Sequence, residues 1–147
     1  MSEDLVRKMK VKRVDLETLL QNSDIITIHV PLTEETRGLI GKEELETMKP
    51  TAILINAARG SIVDEKALYH ALKKRKIRFA VIDVWAEEPL KPGNPLFELD
   101  NVQLSIHTAS WTRQAFEETM RLSAQNVIRV IKGEKPLNIV NRALLQV

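Results

Sequence analysis

Four short apolar runs punctuate the chain: IITIHV (25–30), AILINAA (52–58), FAVIDV (79–84) and VQLSI (102–106). The first is β-branched and largely apolar on both faces, as a strand buried in a parallel sheet should be, and the other three read as strands beside it. Between and after them, apolar positions recur at helical spacing. GKEELETMK (41–49) predicts a short helix ending before Pro50. Asp64 predicts an N-cap for a helix over 65–74, where Ala67, Leu68, Ala71 and Leu72 form one stripe. Thr112 predicts the cap of a long helix whose apolar face is Phe116, Met120, Ala124, Val127 and Ile131, closed by Gly133. Upstream, Ser2 is placed to cap a helix reaching Lys10, Val11–Val14 predicts a short strand, and Asp15 caps a brief helix through Leu16, Leu19 and Leu20. Pro31 ends the first run because proline brings no N–H to a ladder. Pro89, Pro92, Gly93 and Pro95 mark an irregular loop, and residues 134–147 form a tail with an apolar patch at Ala143, Leu144 and Leu145.

Strand and helix alternating across short joints predict βα units, an α/β fold and a mainly parallel sheet with helices on both faces. No repeat, low-complexity stretch or composition break divides the 147 residues, so one domain is expected.

Composition narrows the function classes. With 44% hydrophobic residues a real core is expected, and a net charge of +2 speaks against nucleic acid or an anionic membrane as partner. The basic run Lys73, Lys74, Arg75, Lys76 and Arg78 sits at a helix C-terminus, where it complements the helix dipole. The absence of cysteine removes disulfides, thiolate nucleophiles and cysteine-held zinc, and the histidines His29, His70 and His107 lack ligand spacing, so no metal is expected. No stretch approaches the roughly 20 apolar residues of a membrane span. A soluble, cytoplasmic protein is expected.

Candidate chemistry lies just past the C-terminal ends of the runs. Arg59, Glu88 and His107 each stand shortly after a predicted strand. In open parallel sheets, ligands bind outside the carboxyl ends of the strands, so the three side chains are expected along one rim. An arginine fork grips a carboxylate or carbonyl oxygen, and an imidazole gives or takes a proton near neutral pH. A carboxylate on its other ring nitrogen orients it. Together they suit reduction of a 2-keto acid. Taken singly, each has a plain alternative: Arg59 as a turn cap, Glu88 as a solvated loop residue, His107 as a satisfied strand-end histidine.

The segments SDIITIHVPLTEETRGLI, MKPTAILINAARGSIVDEKALYHAL, AVIDVWAEEP and NVQLSIHTASWT, in that order, resemble the NAD-binding domain of the D-isomer-specific 2-hydroxyacid dehydrogenases. Phosphoglycerate dehydrogenase and glyoxylate reductase belong to that family. The resemblance implies an incomplete Rossmann-type, three-layer domain, an NAD or NADP cofactor, and hydride exchange between nicotinamide and a D-2-hydroxy acid or 2-keto acid. It carries the arginine of N-x-x-R-G onto Arg59, the acid of D-V-x-x-x-E-P onto Glu88, and the last strand's histidine onto His107. It also implies cofactor contacts at His29, Val30, Pro31, Thr33, Ala57, Ala58, Asp83, Ala109 and Ser110. Two departures stand out: Ile106 where the family usually has proline, and Trp111 where it usually has a small residue.

The family's glycine-rich G-x-G-x-x-G turn, which holds the pyrophosphate on a helix N-terminus, has no counterpart among the five scattered glycines. The expectation is an N-terminally truncated chain, the C-terminal part of a dinucleotide-binding domain, with weak cofactor binding on its own. A second expectation concerns the apolar run 25–30, left without the neighbour it has in the family. Its open edge would pair with a second copy or with the chain's own N-terminal strand. The rival reading is a catalytically incompetent fragment or a non-enzymatic module that oligomerises or binds proteins.

Overall fold

The computed structural model describes residues 3–141 and divides into two compact units, Met1–Thr108 and Ala109–Val147. The first runs α1 (Glu3–Lys8), α2 (Leu16–Asn22), β1 (Ile25–Ile28), α3 (Lys42–Thr47), β2 (Ile53–Asn56), α4 (Glu65–Lys73), β3 (Phe79–Ile82) and β4 (Val102–Leu104). Single 3₁₀ turns at Gly60–Ile62 and Pro95–Glu98 interrupt the loops after β2 and β3.

The local chemistry accounts for these elements. Asp15 caps α2 by accepting the Thr18 N–H at 2.7 Å, and Asp64 caps α4 by accepting from Lys66 and Ala67. At the far end of α4 the chain turns through Arg75, whose φ of 52° lies in the left-handed region. Buried Asn101 fastens that corner by donating to Leu72 O and Arg78 O.

All four strands are parallel, in the order β1-β2-β3-β4. This is the expected α/β, Rossmann-type sheet. In register, Ile26, Leu54 and Ala80 share one face, as do Ile28, Asn56 and Ile82, and every one of them is buried. Ile25, Thr27, Ile53, Ile55, Phe79 and Val81 alternate onto the opposite face and retain solvent exposure. The strand order explains the asymmetry. Right-handed crossovers that always step to the next strand keep returning to the same side. Accordingly α2 packs on α3 and α3 on α4. Along the sheet, α2, α3 and α4 thus follow one another as the parallel strand order requires.

The core lies under these helices. Leu54, Leu68 and Leu72 are almost wholly buried, and each such side chain contributes about 1.5–3 kcal/mol. The expected strand at Val11–Val14 does not form. Lys10, Lys12 and Arg13 surround it with charge, and no ladder in the sheet reaches it. Among the described residues, β1 therefore ends the sheet, paired with β2.

The second unit is built on α5 (Arg113–Ile131), whose cap Thr112 accepts the Ala115 N–H at 3.1 Å. Gly133, at φ 74°, closes it. Its expected apolar face, Phe116, Met120, Val127 and Ile131, is exposed rather than packed. Ser2, and the patch at Ala143, Leu144 and Leu145, lie outside the described residues. Among the described residues no helix is long and apolar enough to cross a membrane.

Candidate active site

Because the strands run parallel, the segments leaving β1, β2, β3 and β4 emerge along one rim of the sheet. Cross-strand bonds lace that rim together. The Asp83 N–H donates to Asn56 O at 3.0 Å, the Ser105 N–H to Ile82 O at 3.0 Å, and the His107 N–H to Asp83 O at 2.7 Å.

After β2 the chain turns sharply. Asn56 is 1% exposed and shapes the turn from beneath: its Oδ1 accepts the Ala58 N–H and its Nδ2 donates to Arg59 O. Ala57 and Ala58 thus stand at the surface beside Arg59. The Arg59 guanidinium is exposed, and its Nη1 donates to the neighbouring Ala58 O at 2.7 Å. Facing these residues, the segment after β1 brings His29, Val30, Pro31 and Leu32 to the other wall of a cleft of about 550 Å³. His29 is exposed, with Nε2 2.9 Å from the Thr27 hydroxyl. Thr33 opens a turn in which the Thr36 hydroxyl accepts the Thr33 N–H and donates to Pro31 O.

After β3 and β4 the arrangement is tighter. Glu88 Oε2 lies 3.0 Å from His107 Nδ1, while its Oε1 accepts the Trp85 N–H at 3.0 Å. The His107 bond foremost, and then the Trp85 N–H, hold the Glu88 carboxyl below its ordinary value of 4.5; the charges of His107 and Arg59 act in the same direction. An ionised carboxylate only accepts, so Nδ1 carries the proton of that bond. His107 itself has φ 62°, a left-handed conformation rare for a residue with a side chain. Asp83, 4% exposed, holds it there. Its carboxylate Oδ1 accepts the Ser105 hydroxyl at 2.5 Å and the Thr108 N–H at 2.9 Å, on either side of His107.

The structure thus brings Arg59, Glu88 and His107 to one rim, with His107 and Glu88 in direct contact and Arg59 near enough for its charge to act on Glu88. Ala109 and Ser110 belong to the second unit, where Ser110 O accepts the Thr112 N–H. Ile106 and Trp111 are exposed. Sequence reasoning missed Ser105. Trp85 is buried, and its indole N–H donates to Ser105 O at 2.8 Å. The available signal for Ser105 was a hydroxyl within the predicted run 102–106, two places before His107. Among the described residues no three potential metal ligands come together.

Residues 2–109 match the family described as D-isomer specific 2-hydroxyacid dehydrogenase, NAD binding domain. The chain is 46% identical over 145 residues to the glyoxylate reductase of Korarchaeum cryptofilum, covering 99% of this chain and 44% of that protein. It is 47% identical over 140 residues to the D-3-phosphoglycerate dehydrogenase of Archaeoglobus fulgidus, covering 95% of this chain and 27% of the other. Among solved structures it resembles D-lactate dehydrogenase with NAD⁺ from Lactobacillus jensenii, with a TM-score of 0.86 and 31% identity over 97% of this chain and 46% of that one. The chain spans less than half the length of each of these relatives.

The cleft after β1 and β2 suits the nicotinamide end of a dinucleotide. Val30, Pro31 and Leu32 offer an apolar wall, and Ala57 and Ala58 leave room for a flat ring beside the rim. The pyrophosphate end has no glycine-rich cradle among the described residues, whose glycines stand singly.

Proposed function

The chain belongs to the D-isomer-specific 2-hydroxyacid dehydrogenase family, and on that premise we propose that its rim is the nicotinamide and substrate half of an NAD(P)-dependent reductase of small 2-keto acids. Arg59 binds the substrate's carboxylate or carbonyl oxygen through its planar fork. A nicotinamide held in the cleft supplies the hydride. As the keto carbon is reduced, His107 delivers a proton from Nε2 to the carbonyl oxygen, so the alkoxide never accumulates. Glu88 keeps Nδ1 protonated and so turns Nε2 outward, and its negative charge stabilises the imidazolium before transfer. In the reverse direction the neutral Nε2 takes the hydroxyl proton. His29, Val30, Pro31, Thr33, Ala57, Ala58 and Asp83 are the proposed cofactor contacts of this half.

One observation carries this reading: the 3.0 Å contact between His107 Nδ1 and Glu88 on the rim that also bears Arg59. The test joins this chain to the remaining segments of the Korarchaeum cryptofilum glyoxylate reductase and follows NADH oxidation with glyoxylate. Turnover is expected, with His107→Ala reducing it by about 10²–10⁴-fold. Turnover retained in His107→Ala would remove His107 from proton transfer. Alone, the chain is expected to bind NADH weakly, because backbone N–H groups of a glycine-rich turn supply much of the grip on the pyrophosphate.

The open edge of β1 supports a second proposal, self-association. An edge strand leaves a row of unpaired N–H and C=O groups, and Ile25, the first residue of β1, is 62% exposed. Light scattering is expected to show a dimer or larger; a monodisperse monomer removes the proposal.

A further inference from the structure

The segment Trp85–Glu88 touches the turns that carry all three proposed site residues. Its first contact is with Gly60. A β-carbon placed on Gly60 would lie 1.9 Å from Trp85 C, 2.2 Å from Trp85 O and 2.3 Å from Ala86 N. Gly60 is the residue after Arg59, so the turn bearing the arginine rests on the Trp85–Ala86 peptide with no room for any side chain. The obstacle is backbone, which cannot swing aside as a flexible side chain would. The second contact comes from α4. Glu65 at its first turn accepts the Ala86 N–H at 2.7 Å, and its other oxygen lies 3.5 Å from the Asn94 amide nitrogen. The third is the Trp85 indole N–H on Ser105 O, two residues before His107. Finally, the Trp85 N–H holds one oxygen of Glu88 while the other faces His107.

The structure assigns Gly60, Glu65 and Trp85 a positioning role: they clamp the 85–88 segment so that Glu88 meets the His107 imidazole at the place set by the Arg59 turn. None of the three need touch a ligand. That the alignment serves proton transfer rests on the reductase reading; the clamp itself does not. A side chain on Gly60 would have to displace the Trp85–Ala86 peptide, whose Ala86 N–H is the group that Glu65 holds.

The experiment titrates the Glu88 side-chain carboxyl and the His107 ring nitrogens by NMR in the full chain, without cofactor or substrate. Gly60→Ala and Glu65→Ala are expected to raise the Glu88 midpoint toward the ordinary carboxylate range. Both should also weaken the bonded Nδ1 signature of His107. Glu65→Gln is expected to keep the unsubstituted behaviour, because its amide oxygen still accepts the Ala86 N–H. Glu88 and His107 titrations identical to the unsubstituted chain in Glu65→Ala would overturn the clamp, as would a Glu65→Gln variant as perturbed as Glu65→Ala. Should Gly60→Ala fail to fold, the Glu65 pair decides the question alone. Failure of glyoxylate turnover in the joined protein would defeat the reductase reading and leave these titrations unaltered, so the two failures are distinguishable.

Discussion

The two ends of the rim are built differently. On the β3–β4 side, Glu88 and His107 sit in a lattice of bonds from Trp85, Asp83, Ser105 and Thr108. On the β1–β2 side, Arg59 and His29 stand exposed over an open cleft, the Arg59 guanidinium bonding to Ala58 O and the His29 ring lying against the Thr27 hydroxyl. The difference matches what each end is proposed to do. A proton donor works only if its ring nitrogen is already aimed when charge develops, so it is fixed in advance. A carboxylate-gripping arginine must exchange one partner for another, and a weakly held guanidinium does so at little cost. Among the described residues, the β1–β2 side also borders an edge of the sheet.

This contrast can be broken most severely at Asp83. Asp83→Ala leaves the Ser105 hydroxyl and the Thr108 N–H without the acceptor they share. Each unsatisfied group costs about 1–3 kcal/mol. A marked loss of stability in urea unfolding is expected, with the His107 turn the first segment to lose amide protection. Unfolding indistinguishable from the unsubstituted chain would mean that the β3–β4 end is not held as described.

Arg59→Ala should act in the opposite sense. An exposed side chain with one local bond contributes little to folding, so the change in stability should stay within about 0.5 kcal/mol. In the protein joined to the remaining glyoxylate reductase segments, however, loss of a charge-assisted grip of about 1.5–3 kcal/mol corresponds to a KM for glyoxylate raised by about 10–100-fold. Steady-state kinetics reads this directly. An unchanged KM would remove Arg59 from substrate binding.

The smallest effect sharpens the comparison through pH. Glu88 is held below 4.5 in the folded chain by His107, then by the Trp85 N–H. A carboxyl with a depressed folded value adds stability that is fully present above its unfolded value and disappears as pH falls through the folded one. Stability should therefore drop below pH 4.5 in a way that Glu88→Gln diminishes. Because Glu88 is partly exposed, solvent screens the pair and the increment is small. Acid denaturation curves of the two forms that superimpose throughout would deny Glu88 its tie to His107.

Much of this was legible in the residues. The runs 52–58 and 79–84 read as strands from their apolar composition, and parallel pairing then put Arg59, Glu88 and His107 on one rim, although only one face of each strand is fully buried. Asp64 and Thr112 announced their helices because capping is a local bond between neighbours. Val11–Val14 misled for the complementary reason. Its apolar residues have strand character, but a strand exists only beside another strand, and partners are not a local property. The stripe on α5 teaches the same lesson: periodicity predicted the helix and said nothing of what would cover it.

Local pattern, then, determined the helices with their caps and picked out the reactive groups, since a cap or a periodic stripe depends on neighbours a few positions apart. Only the tertiary structure decided the order and register of the strands, that buried Asp83 props His107 in a left-handed turn, and that Gly60 meets the Trp85 peptide with no space between. Those facts depend on pairs of residues some 20 or more positions apart in sequence, brought together by the order in which the strands assemble.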